Sequence, residues 1–163
     1  MGIKLERVDY RLMHGQVVTN WIKIVSADAI LIVNDELVKD KFLAQVFLMA
    51  APPGVKISIK SVANAAKWAE TGKQNQMNLL VLFKSIESAR QAYDLGFPME
   101  KLQIGGLGSG TNKKVVSKDL SLSSEEIEML NDLNQKGVEI SLQAMPKDEK
   151  IMYADIAGKL TSN

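Results

Sequence analysis

Apolar side chains along this chain switch repeatedly between the spacing typical of a strand and the spacing typical of a helix. Residues 29–33 and 79–83 are continuous apolar runs, which are typical of strands buried on both faces of a sheet. Shorter strand patterns occupy residues 3–8, 55–59, 102–104 and 138–142. Helical patterns occupy residues 15–25, 36–51, 61–72, 85–95, 123–137 and 152–160.

Strands that alternate with helices in this way favour right-handed crossovers and a mainly parallel sheet. The chain has no internal repeat and no linker long enough to divide it into separate units. The prediction is therefore an α/β fold, with a single doubly wound domain over residues 1–163. Its open, mainly parallel β-sheet is expected to carry helices on both faces.

Polar residues and prolines mark the ends of the predicted helices. The Asn-Asp-Glu sequence at 34–36 is expected to cap a long helix that stops at the Pro-Pro-Gly of 52–54. The many Met and Phe positions between Phe42 and Met49 predict that this helix is buried on more than one side or packed against a partner helix. Further predicted N-caps are Ser61, Ser85 and Ser123.

Composition excludes several classes of function. The 163 residues include 20 basic and 19 acidic side chains, so no basic field points to nucleic acid. The absence of cysteine and the single histidine argue against disulfides, metal centres and cysteine nucleophiles. The longest apolar stretch, residues 46–53, is too short to span a bilayer, and the first residues do not resemble a signal peptide. We therefore expect a cytoplasmic protein that needs no metal or cofactor.

The single histidine, His14, lies where the first strand pattern ends and the first helical pattern begins. Ligands of doubly wound sheets bind at the carboxyl ends of the strands, so this loop is in the expected place. Gly15 allows a tight turn, and the free backbone N–H groups of the next helical turn attract anions. Because a neutral imidazole is a nucleophile, we predict that His14 accepts and returns a phosphoryl group.

Charged neighbours of His14 have predicted supporting roles. Arg11 and, as a weaker candidate, Arg7 would neutralise phosphoryl oxygens, because a guanidinium offers a matching fork of donors. Asp9 is expected to order the loop by pairing with an arginine or by accepting backbone N–H bonds. Gln16 can form a hydrogen bond near the start of the helix.

Other residues carry alternative interpretations. Asp35 follows a buried strand, where a carboxylate can bind Mg²⁺ or take a phosphoryl group, although it also suits a helix cap. Ser85 is a weaker candidate for phosphate contact from a neighbouring loop. The glycine-rich segment 105–110 is predicted to be a turn and lacks the spacing of a dinucleotide site. Trp21 is expected to pack in the core, with a docking role left open.

Residues 7–17, Arg-Val-Asp-Tyr-Arg-Leu-Met-His-Gly-Gln-Val, resemble the active-site loop of enzyme IIB of the mannose/fructose/sorbose-type sugar phosphotransferase system. The likeness covers essentially the whole chain in the expected order, through residues 32–36, 51–55, 104–106 and 136–139. Met13 departs from the branched aliphatic expected there, and the segment after Gly106 is shorter and less basic than in some relatives.

The resemblance implies a phosphotransferase in which Nδ1 of His14 accepts a phosphoryl group from the phosphohistidine of an EIIA (IIA) partner. His14 would pass this group to a sugar delivered by the membrane subunits EIIC and EIID. Arg11 and Asp9 match the charged positions of the family loop, and Gly15 and Gln16 match its end. The expected location is cytoplasmic, with peripheral association with the membrane transporter.

The residues also leave a second class of function open. In this alternative the chain is a non-catalytic α/β module that binds a phosphorylated metabolite at the His14 loop or is regulated by phosphorylation of Asp35. The sugar and the oligomeric state are not set by the sequence, and a homo-oligomer stays among the alternatives.

Overall fold

Strands and helices alternate along the computed structural model, which describes residues 1–108, 110–118 and 120–161, with the backbone alone at residues 16 and 17. The strands are β1 (Gly2–Asp9), β2 (Ala29–Val33), β3 (Lys56–Lys60), β4 (Asn78–Phe83), β5 (Lys101–Gly106), β6 (Lys114–Ser117), β7 (Leu120–Leu122), β8 (Glu139–Leu142) and β9 (Ile151–Met152). The α-helices are α1 (Gly15–Val25), α2 (Lys41–Met49), α3 (Val62–Glu70), α4 (Ile86–Asp94), α5 (Ser124–Gln135) and α6 (Tyr153–Thr161).

The main sheet has the strand order β3-β2-β4-β1-β5-β8-β9. Neighbouring strands from β3 to β8 are parallel, and β9 pairs antiparallel with β8 at the edge. β6 and β7 form a separate antiparallel hairpin. The crossovers leave β1 between β4 and β5, near the middle of the sheet, where a doubly wound fold places its ligand crevice.

Helices cover both faces of this sheet, as predicted. One apolar cluster joins α1 and α2 to alternate residues of β2 and β4, and a second joins α3, α4, α5 and α6 to the opposite face. The inner strands are buried on both sides, which explains why residues 29–33 and 79–83 are continuously apolar. None of the described helices has the length and apolar character needed to cross a membrane.

The helix predicted after residues 34–36 starts later than expected. Oδ1 of Asn34 accepts a hydrogen bond from the backbone of Leu37 at 2.7 Å and begins a short 3-10 turn. α2 begins only at Lys41, where Asp40 caps it. The prediction that this helix is buried on more than one side is wrong, because none of its residues is buried and Phe42 is 81% exposed.

The strand before the glycine-rich segment is longer than predicted. Gly105 and Gly106 are buried residues of β5, so the prediction of a turn is wrong for these two positions. The hairpin of β6 and β7 that follows was not predicted from the sequence. Ser109, part of the predicted turn, lies outside the described residues. The N-caps at Ser61, Ser85 and Ser123 are confirmed.

Candidate functional site

The loop between β1 and α1 leaves the carboxyl end of the central strand. Its conformation is fixed by Leu12, which has a left-handed φ of 57° and is only 5% exposed. The backbone N–H of Leu12 donates to the carbonyl of Asp9 at 2.9 Å. Leu12 is anchored in the core, and the chain turns outward after it. His14 and Gly15 are therefore exposed.

His14 is the N-cap residue of α1. It has an extended backbone, with φ −133° and ψ 99°, and its side chain makes no capping hydrogen bond to the helix. Gly15 has a left-handed φ of 46°, which a side chain at this position would strain. The first turn of α1 contains no acidic residue, so its free N–H groups and the helix dipole favour an anion beside the imidazole. The Gln16 side chain lies outside the described residues.

The carboxylate of Asp9 organises this loop while being only 1% exposed. Its Oδ1 accepts hydrogen bonds from the backbone N and the Nε of Arg11, at 3.0 and 3.2 Å. Its Oδ2 lies 3.5 Å from Nη2 of Arg11 and 3.4 Å from Nη2 of Arg7. One buried carboxylate thus holds two guanidinium groups, as the ordering role predicted for Asp9 requires.

Arg7 and Arg11 occupy very different environments. Arg11 is 35% exposed, so its guanidinium is open to solvent beside the loop. Arg7 is 2% exposed and donates to the side chain of Gln103 and to the carbonyls of Gln143 and Ala144, the last two at 2.9 and 2.6 Å. Nη1 and Nη2 of Arg7 therefore already bind acceptors of the protein itself, in contrast to the phosphate contact predicted for this residue.

The guanidinium of Arg7 remains a cation despite its burial. Desolvation lowers its pKa to about 10, and Asp9 opposes that shift by favouring the charged form. The indole of Trp21, 5% exposed, faces the guanidinium with 5.1 Å between the ring centre and Cζ. Trp21 therefore packs in the interior, as predicted, and covers the buried charge.

Two glycines of β5 provide the space that the charged groups occupy. A Cβ on Gly105 would lie 2.0 Å from Cζ of Arg7, and a Cβ on Gly106 would lie 3.0 Å from Oδ1 of Asp9. Sequence reasoning missed both roles, together with that of Gln103. The available signal was a pair of glycines directly after a strand pattern, which indicates close approach as well as a turn.

A crevice of about 420 Å³ opens at the carboxyl ends of the neighbouring strands. Its lining includes Tyr10, Asn34, Asp35, Lys84, Ser85 and Leu107. The Ser85 hydroxyl accepts a hydrogen bond from the backbone of Ser88 at 3.1 Å, so this side chain caps α4 while facing the crevice. Among the described residues, no group of three or more acidic or histidine side chains could hold a metal ion.

The chain is similar over its whole length to proteins of one family. A family model described as the sorbose subfamily IIB component of the PTS system matches residues 3–162. The sorbose-specific EIIB component of Lacticaseibacillus casei is 37% identical over 163 residues, covering 98% of this chain and 96% of that protein. The mannose-specific EIIAB component of Escherichia coli (strain K12) is 28% identical over 160 residues, covering 98% of this chain and 50% of that protein.

Solved structures give the same result. The IIBSor domain of the sorbose permease from Klebsiella pneumoniae has a TM-score of 0.89 at 30% identity, over 99% of both chains. The crystal structure of manxB from Thermoanaerobacter tengcongensis has a TM-score of 0.86 at 36% identity, over 98% of this chain and 96% of that one. The chain therefore belongs to the sorbose subfamily of IIB components, the phosphoryl-transferring components of a sugar phosphotransferase system.

Proposed function

We propose that His14 is the residue that carries the phosphoryl group. The observation that supports this most directly is the position of its imidazole, which is exposed at the N-terminus of α1 and at the carboxyl end of the central strand. The free backbone N–H groups at the start of the helix, and the partly exposed guanidinium of Arg11 three residues earlier in the same loop, are the positive groups available to a phosphoryl group there. Phosphoryl transfer depends mainly on such positioning and electrostatic stabilisation.

The reaction consists of two in-line transfers at one nitrogen, Nδ1 of His14. In the first, a phosphohistidine of an EIIA partner gives up its phosphoryl group. The P–N bond of the donor breaks as the P–N bond to His14 forms, and the donor imidazole leaves with the electron pair. In the second, a sugar hydroxyl oxygen attacks the phosphorus, the His14 imidazole leaves, and the hydroxyl proton is released. Arg11 neutralises charge on the phosphoryl oxygens during both steps.

The partners follow from this sequence of transfers. A relative named as an EIIAB component, of which this chain covers 50%, supports an EIIA domain or subunit as the donor. We propose that the membrane subunits EIIC and EIID present the sugar. Because donor and acceptor use the same imidazole, they bind this face of the molecule in turn. The component therefore works in the cytoplasm and associates peripherally with the transporter.

The test is labelling by a phosphorylated EIIA protein of this family. The wild-type chain should take up one phosphoryl group that is lost in acid and retained in base, which is the behaviour of phosphohistidine. His14→Ala should keep the fold, by circular dichroism and urea unfolding, and take up no label. Glu139→Ala, at the start of β8 and thus at the opposite end of the sheet from the loop, is the control and should be labelled normally. Label that persists on His14→Ala would sink the assignment.

A further inference from the structure

The interior behind the first loop contains a charged cluster that does not itself reach the phosphoryl group. It consists of Arg7 and Asp9, which are 2% and 1% exposed, and the β5 residues Gln103 and Gly105 against which Arg7 lies. A buried ion pair is weak support for stability, because desolvation offsets its Coulomb attraction. Stability alone therefore does not explain why the cluster adjoins the reactive loop.

The cluster forms a continuous chain of contacts from the sheet to the surface. Gln103 accepts a hydrogen bond from Nη1 of Arg7, and Nη2 of Arg7 lies against Oδ2 of Asp9. The same Oδ2 faces Nη2 of Arg11, whose guanidinium is 35% exposed. Arg11, three residues before His14 in the same loop, is thus the most exposed side chain of this series of contacts.

We propose that Gln103 and Gly105 are positioning residues for phosphoryl transfer. They fix the guanidinium of Arg7, which fixes the carboxylate of Asp9, and Asp9 in turn sets the direction of the Arg11 guanidinium. The kinetic part of this inference rests on the proposed role of His14. The orientation of Arg11 is a property of the free protein and can be measured without any transfer.

Distances within the cluster make the orientation sensitive to small displacements. The contacts of Asp9 Oδ2 with Arg7 and Arg11, at 3.4 and 3.5 Å, are at the long end of the hydrogen-bond range. A shift of a few tenths of an ångström in Arg7 is therefore enough to take its contact with Asp9 beyond hydrogen-bond distance. Position 105 accepts no side chain, because a Cβ there would lie 2.0 Å from Cζ of Arg7 and would displace the guanidinium.

The experiment replaces Gln103, which accepts a hydrogen bond from Arg7, and leaves the sequence of the His14 loop unchanged. Gln103→Met keeps the length of the side chain but removes the acceptor, and Gln103→Glu keeps an acceptor oxygen. The matched control is Gln74→Met, at another glutamine that is about as buried, 5% against 6% exposed, but does not contact Arg7. Two quantities are measured: the ¹H–¹⁵N resonance of Arg11 Nε, and the maximal single-turnover rate of transfer from phosphorylated EIIA, separated from its half-saturating concentration.

We expect Gln103→Met to shift the Arg11 Nε resonance and to lower the maximal rate by about tenfold or more, with an unchanged half-saturating concentration. Gln103→Glu should keep the wild-type rate, and Gln74→Met should have the wild-type resonance and rate. If Gln103→Met does not fold, Gln103→Asn withdraws the same acceptor by one methylene and gives the same test. An unshifted Arg11 resonance and an unchanged rate in the folded variant overturn the inference. Absence of transfer in the wild type instead refutes the proposed function, and the resonance then decides only whether Gln103 orients the Arg11 guanidinium.

Discussion

The carboxylate of Asp35 accepts a hydrogen bond of 2.7 Å from the backbone N–H of Val62. Val62 is the first residue of α3, so Asp35 ties the end of β2 to the start of a helix that is 27 residues further along the chain. Both residues border the crevice at the carboxyl ends of the strands. This contact gives Asp35 a structural role, in contrast to the regulatory phosphorylation that is the alternative interpretation of the sequence.

Asp35→Ala is expected to lower the free energy of unfolding by about 1 kcal/mol, because it leaves a helix N-terminal N–H without its acceptor. Asp35→Asn keeps an acceptor oxygen and should lose less. Urea unfolding measures both, with Glu36→Ala as a control at an exposed neighbour. The chemical stability of the phosphoryl label distinguishes the two interpretations: a base-labile label that disappears in Asp35→Ala would establish Asp35 as the acceptor.

Asp9→Ala is expected to lower the free energy of unfolding by about 3 kcal/mol, more than Asp35→Ala, because it leaves the buried charge of Arg7 without a counter-ion. Gln103 and two backbone carbonyls still bind Arg7, which keeps the loss near the lower end of the range for broken buried pairs. The control is Asp94→Ala, which removes a carboxylate that is also ion-paired but 47% exposed.

The control variant, Asp94→Ala, should lower the free energy of unfolding by less than about 1 kcal/mol, because solvent screens an exposed ion pair. Urea unfolding at one pH gives both values. A loss for Asp9→Ala no greater than that for Asp94→Ala would show that the buried cluster does not depend on Asp9. The comparison is direct because both carboxylates face two basic side chains in the folded protein.

The inner strands and the place of the His14 loop follow from local patterns in the sequence. Apolar runs at 29–33 and 79–83 predict inner strands, and the loop before Gly15 lies at a strand end because a helical pattern begins there. Position along a strand also indicates that Arg7 and Asp9 share a face, since side chains two apart point the same way. The location of the reactive loop was therefore predictable from the sequence.

The burial of Arg7 and the acceptors of its hydrogen bonds were not predictable from the same patterns. Its acceptors are Gln103 and the carbonyls of Gln143 and Ala144, which are about a hundred residues or more further along the chain. Only the parallel pairing of β1 with β5, and of β5 with β8, brings them together. Local propensity carries no information about such contacts, so a buried guanidinium whose Nη1 and Nη2 bind protein acceptors is indistinguishable in the sequence from a phosphate ligand.

Glu6 provides a test of the pH dependence of stability. Its side chain is 4% exposed, and its Oε1 has no hydrogen-bond partner among the described residues. Burial raises the pKa of Glu6 well above 4.5, and Glu100 adds to the shift. The folded protein therefore holds a proton that the unfolded chain releases, so raising the pH through this range destabilises the fold.

Glu6→Gln should remove this dependence, because the amide does not ionise. The difference in unfolding free energy between variant and wild type should grow in favour of the variant as the pH rises above 4.5 and stop growing once Glu6 ionises in the folded protein, at no more than about 1.4 kcal/mol per pH unit for one proton. Urea unfolding at several pH values measures it, with Glu139→Gln as the control at a side chain 49% exposed. A constant difference across the range would show that Glu6 is ionised throughout.

Arg11→Lys tests whether the exposed guanidinium acts by its shape as well as its charge. Lysine keeps the positive charge but loses the planar fork, and it cannot offer Asp9 the paired contacts of Nε and Nη2. We expect the transfer rate from phosphorylated EIIA to fall by about tenfold or more, whereas the unfolding free energy changes by less than about 1 kcal/mol, because the side chain is 35% exposed. Lys23→Arg, which exchanges the same two groups in the last turn of α1, is the control and should leave the rate unchanged. A normal rate in Arg11→Lys would mean that charge alone is sufficient, and the fork would then have no part in stabilising the transferring group.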